Sequence, residues 1–132
     1  MFVEAAFALT TIVSLLVGIF DVGQFLFVHQ ALVERARSAA RWGAVNSPKD
    51  PGPVRNWVLY GSSSVPENGG GAAGYFGLTA GMVQVTTPGA GTEQARLVVL
   101  ISNFPYRVHS PFIAGSYTGP NIVVAVPLGQ LN

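Results

Sequence analysis

Two carboxylates stand in surroundings that ordinarily expel them. Glu4 precedes the uncharged run Ala5 to Phe20, and Asp21 divides that run from a continuation, Val22 to Val28, in which Gln24 is the single polar side chain. A carboxylate at hydrocarbon depth costs at least about 2.5 kcal/mol. An ionised one inside a dry helical bundle must pair with a cation or take up a proton. The next basic residue after Asp21 is Arg35, fourteen positions on, or about 21 Å along a helix axis. A charged partner for Asp21 therefore has to come from another subunit or from another part of the fold.

The remaining candidates for chemistry carry less. His29 and His109 are the only histidines, and neither has a second histidine, a cysteine or an acid at a ligand spacing. Ser62, Ser63 and Ser64 belong to no G-x-S-x-G elbow. The glycine-rich stretch Gly61 to Gly74 lacks the lysine and the strand-to-helix context of a phosphate-binding loop. No catalytic residue, metal or cofactor is expected. Arg35, Arg37 and Arg41 with Glu34 read either as a solvated helix face or as donors to acids of adjoining subunits or to lipid headgroups. Trp57, Tyr60, Tyr75 and Phe76 read as packing aromatics rather than a ligand cage.

These residues need elements to hold them. Of the 132 residues, 49% are hydrophobic and 10% charged, less than half the charge that an ordinary soluble domain carries. Much of the surface should meet lipid or protein. The net charge of +1 supplies no field for nucleic acid, and zero cysteines exclude disulfides and thiolate sites. No proline occurs before Pro48, so one helix is expected from Phe2 to Val45, with residues 1–45 as membrane anchor or filament core and 46–132 as a small globular domain. From Phe25 the helix turns amphipathic, with Phe25, Val28, Leu32, Ala36, Ala39 and Gly43 on one stripe. A run of this length spans a bilayer. It opens on an acid rather than a lysine or arginine, unlike an ordinary signal peptide. The first arginines follow it, and a short basic leader removed ahead of Met1 would place the bulk of the chain outside the cytoplasm.

The globular half is expected to begin with a short helix over Val54 to Tyr60 ended by Gly61, followed by an exposed, mobile loop from Gly61 to Gly74. Three strands, Met82 to Thr87, Ala95 to Ser102 and Asn121 to Val126, predict a small antiparallel sheet. In the second strand both faces are apolar: Leu97, Val99 and Ile101 on one, Val98 and Leu100 on the other. One helix covers only one face, which leaves the second to loops or neighbouring subunits. The connection from Asn103 to Pro120 is too aromatic for a linker and is expected to pack as an ordered flap.

Three segments carry a resemblance: Val3-Glu4-Ala5-Ala6-Phe7-Ala8-Leu9; Gly18 to Leu32, with its acid before glycine; and Ala36-Arg37-Ser38-Ala39-Ala40-Arg41-Trp42-Gly43-Ala44. Together they resemble the N-terminal signature of TadE-like and TadG-like pseudopilins of tight-adherence pili. The resemblance covers the first third of the chain closely; Arg55 to Gly61, Leu78-Thr79 and Met82 to Val85 also look like such proteins. It implies an α+β, type IV pilin-like fold and a prepilin cut by a dedicated membrane peptidase. The helix would then be drawn from the inner membrane into an extracellular filament by pilus assembly machinery. The expected partners are copies of the same chain in a helical homo-oligomer, with no nucleic acid. The residues expected to carry assembly are Glu4, Asp21, Phe7, Leu16, Phe20 and Phe25, Glu4 meeting the free α-amino group of an adjacent subunit. The alternatives are a membrane-anchored minor or priming subunit of the same machine and an unrelated single-pass envelope protein with a binding domain.

Overall fold

A computed structural model describes residues 1–46, 49–67, 74–108 and 115–128. Helix α1 runs without a break over Phe2–Asn46, 45 residues, because nothing in that stretch removes a backbone donor or clashes with the preceding turn. A shorter helix, α2 (Gly52–Tyr60), has Pro53 in its first turn, where the missing N–H is no loss. It ends at Gly61, whose backbone is left-handed (φ 75°) and whose N–H donates to the Trp57 carbonyl at 2.9 Å. A Cβ on Gly61 would collide with the Arg35 guanidinium, which sits at the negative end of α2 where a cation is favoured.

Five strands follow: β1 (Val83–Thr86), β2 (Arg96–Ile101), β3 (Pro105–Val108), β4 (Gly115–Thr118) and β5 (Ile122–Pro127). The main sheet has the order β1-β2-β5, antiparallel throughout, with Val85 opposite Val99 and Val99 opposite Val124. Its three strands lie within a residue or two of the expected positions. The described parts of the Asn103 to Pro120 connection, residues 103–108 and 115–120, are more regular than a flap. They contain a second antiparallel pair, β3 with β4, in which Tyr106 stands opposite Tyr117. His109 and residues 68–73 of the glycine-rich stretch lie outside the described residues.

The core lies between the second half of α1, α2 and one face of the sheet. Leu32, Ala36, Ala39 and Ala40 of α1 meet Val54 and Val58 of α2 and Val83, Leu97, Val99, Ile101 and Ile122 of the sheet, all of them buried. Small side chains on α1 let its neighbours come close. Any Cβ on Gly43 would enter the van der Waals shells of Leu97 and Val54. Trp42 stacks on Trp57 with ring centres 5.2 Å apart, and the Trp57 indole N–H donates to the Ser38 hydroxyl at 3.2 Å, which fastens α1 to α2. The outer face of the sheet keeps Val98 and Leu100 only half-covered and Val123 exposed.

Leu32 is fully buried and Leu16 lies on the bare part of α1, so the two leucines separate head stability from helix surface. Leu32→Ala is expected to lower the stability of the globular half by about 2–5 kcal/mol and Leu16→Ala to leave it unchanged. Thermal melting followed by the near-ultraviolet circular dichroism of the Trp42–Trp57 pair, in detergent, measures both.

Candidate functional site

The first half of α1 is a protruding apolar rod. Phe7, Leu16 and Phe20 are 72%, 61% and 64% exposed, and Phe2, Leu9, Ile12, Leu15 and Ile19 are equally bare. From Glu4 to Gln24 the helix rises about 30 Å, the thickness of a bilayer's hydrocarbon core. Its hydroxyls are turned inward on the backbone: Thr10, Thr11 and Ser14 donate to the carbonyls of Ala6, Phe7 and Thr10 at 2.8, 2.8 and 2.7 Å. Such bonding removes the polar demand that would oppose an apolar surrounding. Glu4 is exposed in the first turn, where the helix dipole favours an anion.

Asp21 is placed differently. It is 9% exposed, the one buried charged residue among the described residues. It belongs to the stripe that continues through Phe25, Val28, Leu32, Ala36, Ala39 and Gly43 into the core, so the fold of the single chain already covers it. Of the two origins that the sequence left open for its surroundings, another part of the fold supplies this burial. Glu4 and Asp21 are seventeen residues apart, about 26 Å along the helix, and form no common site.

Where α1 enters the head, an aromatic joint forms. Phe25 is in contact with Tyr106 (ring centres 4.5 Å apart) and is roughly parallel to His29 at 6.0 Å, and Phe104 packs edge-on to Tyr106 at 5.1 Å. The Tyr106 hydroxyl and Nδ1 of His29 are 3.1 Å apart, a hydrogen bond in which the hydroxyl donates when Nδ1 carries no proton. Burial raises the Tyr106 hydroxyl above its ordinary pKa of 10.0. The Tyr106 ring lies against Gly119, where a Cβ has no room, and the Gly119 N–H donates to the Phe104 carbonyl at 3.1 Å. Beside this joint opens a groove of about 290 Å³, walled by Gln24, Phe25, Phe76, Phe104 and Tyr106, with Arg107 at its edge.

A second aromatic chain runs up the same side. Phe27 meets Phe76 edge-on at 6.1 Å, Phe76 meets Tyr75 at 4.6 Å, and the Arg35 guanidinium lies 4.1 Å over the Tyr75 ring. Phe76 has a left-handed backbone (φ 53°) and is followed by Gly77 (φ 78°). A non-glycine residue pays about 1 kcal/mol or more for that conformation, and here it holds an aromatic ring 44% exposed. Tyr60, Trp57 and Tyr75 are half-buried packing residues; Phe76 packs on Phe27 and Tyr75 but stays exposed. Its following glycine was the available sequence signal for the turn.

Among the described residues, no three histidine or acidic side chains gather where they could hold a metal. Glu34 pairs with Arg37 at 3.2 Å on the open face of α1, a local ion pair worth little in water. Comparison with protein-family models, with curated proteins and with solved structures gives no match.

Tyr106→Phe, which keeps the ring and deletes the bond to His29, is expected to cost the head about 1 kcal/mol. Gly119→Val, which drives the ring out of its seat, is expected to cost more. In the wild type the folded state holds the Tyr106 proton more tightly than the unfolded chain does. This contribution is intact below pH about 10 and declines as the pH rises through the higher folded value. Melting curves of the wild type and of Tyr106→Phe across alkaline pH test this: the wild type should lose its advantage there.

Proposed function

We propose that this chain is a pilin-like structural subunit. Its apolar α1 rests in the inner membrane before assembly and then bundles with the α1 helices of other copies in the core of an extracellular filament, the heads forming the surface. The observation that carries this reading is the continuity of α1. One unbroken helix is bare and apolar over its first half and is the spine of the α+β head over its second. A subunit of that shape leaves lipid only if another apolar surface replaces it. Each 100 Å² of apolar area kept from water contributes roughly 2.5 kcal/mol, so helices that sheathe one another satisfy the requirement. The resemblance of the first third to TadE-like and TadG-like pseudopilins supports the same reading, with a prepilin peptidase and pilus assembly machinery as its transient partners.

In this scheme Glu4 meets the free α-amino group of a neighbouring copy and sets the stagger between subunits, while Phe7, Leu16 and Phe20 fill the bundle. Phe25 is already engaged with Tyr106 and His29 and contributes its outer edge. The match between the Glu4 to Gln24 rise and the hydrocarbon thickness favours one second reading, a subunit of the same machine that stays anchored in the membrane as a minor or priming component.

Mass spectrometry of the native N-terminus and electron microscopy of sheared cell-surface material distinguish the two. A processed chain repeating along a fibre supports the filament subunit; a trace component confined to membranes supports the anchored one. Glu4→Ala is expected to leave membrane insertion and head melting unchanged and to reduce filament yield tenfold or more. Wild-type yield and shear resistance in that variant would remove Glu4 from assembly. Asp21 variants report on the head as well, because that side chain is buried within its own chain.

A further inference from the structure

We infer that the head is seated on the bilayer surface by an aromatic and basic collar made of Phe27, Phe76, Pro105 and Arg107, whose occupant is the phospholipid headgroup layer. The inference rests on the reading of residues 4–24 as a membrane span and adds to it where and how the globular half touches the membrane.

Depth is the first ground. With Glu4 at one boundary of a hydrocarbon core about 30 Å thick, Gln24 reaches the other, and Phe27 lies about 5 Å beyond it, in the headgroup zone where aromatic side chains concentrate. The Phe76 ring is 6.1 Å from that of Phe27 and so lies within that distance of the same depth. The groove walled by Gln24, Phe25 and Phe76 opens across the same boundary. Its helix wall is a direct continuation of the apolar span.

The second ground is that Phe76 is held in place at a cost. Its left-handed backbone presents the ring outward, and the ring is braced from behind by Tyr75, which the Arg35 guanidinium covers at 4.1 Å. Arg35 in turn sits against Gly61 at the end of α2. The turn leaves the ring at the surface, where it can enter lipid. The third ground is charge. Arg107 lies at the edge of the groove and is exposed on β3, between buried Tyr106 and half-buried Val108. A guanidinium there can bond a lipid phosphate while Pro105 and Phe76 meet the acyl boundary.

The absence of cysteine permits a direct measurement on the full chain. Single nitroxide labels at Phe76→Cys, at Ile12→Cys on the span and at Glu93→Cys are read by power-saturation spin resonance in nanodiscs containing phosphatidylglycerol. Glu93 lies in the turn between β1 and β2, at the end of the sheet where Leu97 packs on Gly43, far from the span. The expected result is Ile12 immersed, Phe76 at headgroup depth and Glu93 aqueous, with Arg107→Gln moving the Phe76 label outward. Ile12 immersed with Phe76 as aqueous as Glu93 overturns the seat and leaves the span standing. An aqueous Ile12 removes the span itself, and the seat with it. Dipolar coupling between Phe76 labels of two chains, with both shielded from oxygen and from the aqueous relaxant, would make a second copy the occupant and also overturns the inference. Retained near-ultraviolet dichroism of the Trp42–Trp57 pair confirms that each labelled chain is folded.

Discussion

The structure depends on one helix having to satisfy two solvents. Over its first half α1 exposes apolar side chains on all sides, which only lipid or other helices can accept. Over its second half the same backbone carries an apolar stripe on one face and Glu34, Arg37 and Arg41 on the other, while Arg35 turns to Tyr75 of the head. Since the helix does not break between the halves, the head cannot rotate freely about the rod. Leu32, Ala36, Ala39 and Ala40, four of the fully buried core residues, belong to α1, so the head without this helix has an uncovered sheet face and an uncovered α2.

Side-chain size along the stripe determines how the head sits. Phe25 meets Tyr106 at the lower end and Val28 and Leu32 pack on the core, while Gly43, beside Ala36, Ala39 and Ala40, lets β2 and α2 approach at the upper end. Two fasteners close the arrangement. Trp42 and Trp57 stack at the far end, and Phe25, His29 and Tyr106 join at the near end. The near joint depends on Gly119, which leaves the Tyr106 ring room to reach α1. Polar groups follow the same division: hydroxyls on the bare rod bond back to the helix, and the one acid in the middle of the apolar run is covered by the fold.

Much of this was legible in the chain because the signals are local. Absence of proline before Pro48, a stripe at three- and four-residue steps and alternation in β1, β2 and β5 need only neighbours in sequence to take effect. On those grounds the α+β class, the extent of α1, the α2 segment and the main sheet followed directly. The hairpin of β3 and β4 did not. Its strands are four residues each, one begins with a proline, and their alternation is hidden among aromatics, so the segment read only as an ordered flap. What identifies it is the pairing of Tyr106 with Tyr117 and the reach of Tyr106 to His29, contacts between residues far apart in the chain.

The candidate interface divides in the same way. By itself the sequence determined that residues 2–20 must find an apolar environment and that Glu4 and Asp21 need an explanation there, because hydrophobicity and charge are properties of the residues. Only the tertiary structure decided that Asp21 is buried by its own chain while Glu4 is left exposed, since burial depends on which helix face the head covers. It likewise decided that Phe76, of the same composition as any packing ring, stands outward beside Phe27. That placement comes from a left-handed turn braced by Tyr75 and Arg35, a set of contacts joining α1 to a segment forty residues further along the chain.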